Sequence, residues 1–162
     1  MKKLLLLSLV VLSMACGRCI ITPDVKITKD WRKFKTIDPE MIAYVESFEL
    51  DFNIKIDNLV VGFDYDNLVV EGDSKAGYCE VKANLAQITI NVKVWDNLKT
   101  NVHREQLMYH ELGHCALRDF THRDGKLKGG CPESIMNSRI FNDRAIRDCY
   151  IPRRGYYIEE MK

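Results

Sequence analysis

The residues with the most chemical content lie in one short run, His110-Glu111-Leu112-Gly113-His114. Residues four apart on a helix share a face, about one turn apart. Two imidazoles so placed can converge on one Zn²⁺ at nitrogen–metal distances of about 2.0–2.1 Å. Glu111, one position on, falls to the side of that face. It is too far round to be a natural ligand and well placed to take a proton from a water at the metal. The pattern His-Glu-x-x-His on a helix therefore reads as metal-assisted hydrolysis with Glu111 as general base. Histidine is scarce in this chain, and every one falls between positions 103 and 122.

A hydrolytic zinc takes three protein ligands and keeps a fourth position open. His122 follows His110 by twelve residues, beyond the expected helix end, and imidazole suits zinc. The segment 115–121 can fold back over the metal to bring it in. Asp119, Asp124 and Glu133 are oxygen-bearing alternatives for the third place. His103, two turns before His110, reads as a helix-surface or supporting residue. Cys115 lies about 100° round the helix from His114, which disfavours it as a fourth ligand. A closed structural site usually draws on cysteines at short spacing. Cys131 and Cys149 offer no such pair, and a purely structural site has no use for Glu111.

The run His110-Glu111-Leu112-Gly113-His114-Cys115, a downstream histidine, and then Cys131-Pro132-x-Ser134-Ile135-Met136 resembles the metzincin clan of zinc metallopeptidases. It also resembles a group of small bacterial zincin-like lipoproteins. The resemblance covers about residues 79–137 and is strongest over 106–137. It implies a zincin-like catalytic domain and peptidase activity on a peptide or protein substrate. It also implies that Met136 forms a Met-turn below the metal and that the substrate lies along an edge strand. Two departures stand out. The metzincin glycine, seven residues after the first histidine, is Leu117 here; the position of the third histidine, ten after it, is Phe120, so His122 comes two residues late.

The surrounding elements must hold this helix against something rigid. Asp38-Pro39-Glu40 is a helix start, with Asp as cap, Pro in the first turn and an acid near the positive end. An apolar stripe through Met41, Ile42, Val45 and Phe48 extends it over about 39–50. Strand patterns follow at 59–63 and 68–70, across the turn-like 64–67. Residues 87–95 alternate, with Ile88, Ile90, Val92 and Val94 on one face, and read as a half-buried strand. That strand is the expected edge above the cleft, where a peptide could add. Thr100 or Asn101 caps the motif helix over 101–118, and 138–148 reads as a short polar helix. The order gives an α+β domain over 38–162, with a twisted, mostly antiparallel or mixed sheet packed on the motif helix and an N-terminal helix. Tyr109, Tyr150, Tyr156 and Tyr157 are candidate oxyanion donors.

Residues 1–15 read as an export leader: Lys2 and Lys3, an apolar run from Leu4 to Leu12, then small residues. Ser13 and Ala15 suit an ordinary signal peptidase. Leu12-Ser13-Met14-Ala15-Cys16 also resembles a bacterial lipobox, and the very short leader with a cysteine at the cut favours lipidation of Cys16. That makes 16–37 a tether or loosely packed arm, and the protein a membrane-anchored lipoprotein, or a secreted one if Cys16 is unmodified. Six cysteines in an exported chain imply disulfides; the pairs expected are Cys79–Cys115 and Cys131–Cys149. The 162 residues are 46% hydrophobic and 29% charged, enough for one packed domain. The net charge of +1 carries no basic surplus to suggest nucleic acid. A zinc-binding interaction module of the same fold, without peptidase activity, is the alternative function.

Overall fold

The computed structural model describes residues 35–66, 68–70 and 72–162. The leader, Cys16 and the arm up to residue 34 lie outside the described residues. The chain is α+β. A four-stranded mixed sheet is built from β1 (Lys35–Ile37), β2 (Leu59–Asp64), β5 (Gly77–Lys82) and β6 (Leu85–Asn91), in the order β1-β2-β6-β5. The first two pairings are parallel and β5–β6 is an antiparallel hairpin. Two-residue strands β3 (Val69–Val70) and β4 (Asp73–Ser74) form a separate ribbon. Residues 35–37, expected in the tether, belong to the sheet instead. Their backbone pairs with Leu59–Val61, and Asp38 N continues the contact to Val61 O at 2.9 Å.

Asp38 caps the first helix as expected: its Oδ1 accepts from Glu40 N at 3.0 Å, ahead of a 3₁₀ turn and α1 (Ile42–Phe52). Alternation fixes which face of the sheet is buried. Leu59 and Val61 on β2, with Ala86, Ile88 and Ile90 on β6, point into the core. There they meet α1 and α3 (Asn101–Ala116), which pack on each other.

The strand reading of 87–95 needs two corrections. The strand stops at Asn91, and α2 (Val92–Asn97) follows. Asn91 causes the change: its Oδ1 accepts from Lys93 N at 3.0 Å and Val94 N at 3.4 Å, a helix cap that outcompetes the β-propensity of two valines. Nor is β6 an edge, since β2 and β5 flank it. The edge beside α3 is β5.

The C-terminal segment is longer than the helix expected at 138–148. It runs from α4 (Asp143–Ala145) through a π segment (Ile146–Tyr150) and a 3₁₀ turn (Ile151–Arg153) to α5 (Arg154–Glu159). Pro152 lacks an N–H to donate to the preceding turn, consistent with the irregular winding there. Both expected disulfides are present, Cys79–Cys115 between β5 and α3 and Cys131–Cys149 between the long loop and the π segment. Arg154 ties α5 to the rest. It donates to Glu105 Oε1 at 2.7 Å, to Tyr109 Oη at 3.0 Å and to the Asp51 carboxylate. Tyr109, next to His110, is thereby locked between three helices. Among the described residues no helix is long and apolar enough to cross a membrane.

Candidate metal centre

Thr100 caps α3, accepting from His103 N at 3.3 Å, and sixteen residues of helix then carry His110 and His114 on the face turned to the cleft. The helix ends at Leu117, which keeps a right-handed conformation at φ −88°. Arg118 takes the left-handed one at φ 62°. The chain thus reverses at Arg118, and the return path runs through Phe120 to His122.

That path closes the cluster. His114 Nε2 lies 3.0 Å from His110 Nε2 and 3.2 Å from His122 Nε2. The three nitrogens all sit within 4.8 Å of one another and are the one metal-capable group of three or more His, Cys, Asp or Glu among the described residues. A tetrahedron with about 2.05 Å arms has edges of about 3.3 Å, close to the two spacings at His114. The tautomers fit as well. His110 Nδ1 is 3.0 Å from Ile135 O and His114 Nδ1 is 2.6 Å from Asp119 O. A carbonyl only accepts, so both Nδ1 atoms carry the proton and both Nε2 lone pairs face inward. Burial, then the neighbouring imidazoles of His114 and His122, pull the His110 pKa down to about 4 against its hydrogen bond to Ile135. Burial lowers that of His114 too. Neutral imidazoles with converging lone pairs form a donor set that can hold a cation.

The oxygen alternatives face elsewhere. The Asp119 carboxylate engages Thr121 and Arg123. Asp124 binds Ser138 N at 2.7 Å and Ser138 Oγ at 3.0 Å. The Glu133 carboxylate lies over Gly125, so close that a Cβ there would fall 2.1 Å from Oε2.

The chain matches no protein-family model, no curated protein and no solved structure.

Glu111 is 4% exposed and borders the same cleft, which has a volume of about 420 Å³. Burial alone lifts its carboxyl to about pKa 8. Its carboxylate rests against Gly77 of β5, where an added Cβ would lie 2.5 Å from Oε1. Glycine at position 77 therefore makes room for the acid. Met136 is fully buried under the centre of the motif: a Cβ on Gly113 would fall 2.5 Å from its Sδ.

None of the four tyrosines expected near the site lines the cleft. Tyr109, Tyr150, Tyr156 and Tyr157 spend their hydroxyls on Asp51, Glu105, Glu133 O and Pro132 O. Tyr78 of β5 and Phe120, which is 59% exposed, line it instead. The Cys79–Cys115 pairing held the clue to Tyr78, since it places the neighbours of Cys79 beside the helix one residue past His114. His103 is buried rather than on the helix surface, with Nδ1 2.8 Å from Thr100 Oγ1, and takes no part in the cluster.

Proposed function

We propose that this protein is a zinc-dependent metallopeptidase of zincin type, acting outside the cytoplasm, with His110, His114 and His122 as zinc ligands and Glu111 as general base. The observation that carries the reading is one cleft bordered both by three converging imidazoles and by a buried carboxyl that ligates nothing. A bound zinc supplies Lewis acidity, polarising a carbonyl and acidifying water toward neutral pH.

The rest is the work of the chain. Glu111 holds and moves the proton: it accepts one from the attacking water and returns one to the leaving amine. The Nδ1 hydrogen bonds to Ile135 O and Asp119 O keep two imidazoles turned with Nε2 inward. Among the described residues the outer side of β5 has no strand partner, and its residues 77–79 line the cleft. An extended peptide can add there by main-chain hydrogen bonds. Tyr78 and Phe120 give the cleft an apolar rim. The two disulfides and the leader pattern favour an oxidising compartment, with Cys16 as the point of membrane attachment.

The test is zinc content and peptide-library cleavage for wild type and Glu111→Gln. About one zinc per chain in both, with cleavage only in wild type, supports the reading. Zinc in both without cleavage leaves the interaction module, and no zinc in oxidised wild type sinks the metal centre itself.

A further inference from the structure

The groups that orient the imidazoles lead away from the cleft and meet at one carboxylate next to the C-terminal helix. His110 Nδ1 donates to Ile135 O at 3.0 Å. The N–H of that same peptide unit, on Met136, donates to Ser134 Oγ at 2.9 Å. The Ser134 hydroxyl donates to Glu160 Oε1 at 2.8 Å, and Ile135 N reaches the same oxygen at 3.0 Å. On its other oxygen, Glu160 accepts from Arg123 Nη1 at 2.8 Å. Arg123 Nη2 holds the Asp119 carboxylate, and the main-chain oxygen of Asp119 accepts from His114 Nδ1 at 2.6 Å. Arg123 also directly follows His122, and its main-chain N donates to Met136 O at 2.9 Å.

We infer that Glu160 is a positioning residue for the metal centre, acting on His110 through Ser134 and the Ile135–Met136 peptide, and on His114 and His122 through Arg123. The inference rests on the reading of the three imidazoles as zinc ligands. It does not depend on peptidase activity.

The physical case is one of relayed polarisation and of geometry. A carboxylate bonded directly to a ligating histidine fixes its tautomer and raises its basicity. Here a hydroxyl and a peptide unit stand between carboxylate and ring. Each hydrogen bond polarises the next, so charge on Glu160 makes Ile135 O a stronger acceptor for the imidazole proton. The relay is sheltered: Ser134 is fully buried and the Glu160 side chain is 13% exposed. Geometry matters as much. The 117–142 loop contains no helix and no strand beyond an isolated Lys126–Pro132 bridge. Its orienting carbonyls are therefore held by a few main-chain bonds and by side chains, and Glu160 joins the two halves of the loop that carry them.

The test uses zinc affinity by chelator competition and the visible spectrum of the Co²⁺-loaded protein, which reports ligand geometry rather than fold. Glu160→Gln keeps the shape and removes the charge. It is expected to lose about 10–100-fold in zinc affinity and to shift the Co²⁺ bands. Ser134→Ala cuts the relay to His110 and the 3.2 Å bond from Arg123 Nη1 but leaves the Arg123–Glu160 and Arg123–Asp119 pairs, and should move both readouts in the same direction by less. It carries the test alone if Glu160→Gln fails to fold. Glu159→Gln, an exposed neighbour paired with Lys162, should change neither. Zinc affinities within twofold of wild type for both relay variants, with unaltered Co²⁺ spectra, would overturn the inference. Wild type that takes up neither metal would overturn the metal-centre reading and this inference with it.

Discussion

Glu111 offers the sharpest quantitative test, because its carboxyl is buried without a hydrogen-bond partner among the described residues. Its pKa rises from 4.5 to about 8 on folding. The folded chain thus binds more protons than the unfolded chain between those values, and stability must fall as pH rises through that window. The loss is complete above the folded pKa. A tenfold change in proton affinity corresponds to about 1.4 kcal/mol, so metal-free wild type should lose about 3 to 4 kcal/mol from this group between pH 5 and pH 8. Glu111→Gln keeps the shape and cannot ionise. The assay is urea unfolding in chelator across a closely spaced pH series, reading wild type minus Glu111→Gln. The difference cancels the opposite trend of His110, whose folded pKa near 4 lowers stability as pH falls below 6.5. The glutamine variant should gain relative stability steadily up to pH 8 and then level off. A difference that stays flat within about 1 kcal/mol would refute the claim that Glu111 is buried and unpartnered.

Three further outcomes follow from the same geometry. His122→Ala should leave the fold intact and cut zinc retention from about one per chain to a small fraction after dialysis against chelator; full retention would remove His122 from the ligand set. Gly77→Ala places a Cβ 2.5 Å from Glu111 Oε1. With the carboxylate displaced by about an ångström, kcat/KM should drop about 100-fold while zinc content holds; near-wild-type turnover would show that Glu111 has room to spare. Replacing both Cys79 and Cys115 by Ala opens a cross-link spanning 36 residues, and urea titration should find a loss of about 4 kcal/mol. A loss under about 1 kcal/mol would mean the β5–α3 contact stands without it.

The centre of the site was legible because helical periodicity alone brings positions 110 and 114 to one face, whatever the rest of the chain does. His122 could be named from ligand chemistry, but its route could not. The left-handed turn falls on Arg118, a residue type that gives no hint of it. Strand 87–95 misled for a local reason. Valines at 92 and 94 continue the alternation, and only the capping side chain of Asn91 switches the backbone to helix. The true edge, β5, reads Gly-Tyr-Cys-Glu-Val-Lys and is weakly patterned because one side of it meets the cleft. β1 is three residues long, below the reach of any periodicity argument. Least visible of all were Ser134, Arg123 and Glu160. Their roles come from contacts across up to 37 residues of sequence, through a loop with no regular structure.

The order of strands also decides where force enters the molecule. The chain joins the described fold at Lys35, on the sheet edge opposite β5. At about 4.8 Å per strand, that edge is about 14 Å across the sheet from the strand lining the cleft. β1 is the first of the described strands, and its three-residue pairing with β2 is half the length of the ladders beyond it. Past those ladders, a covalent bolt fastens β5 to α3. Were the segment before β1 the tether proposed above, tension along it would peel the three-residue β1–β2 pairing before it reached the disulfide-fastened strand beside the cleft.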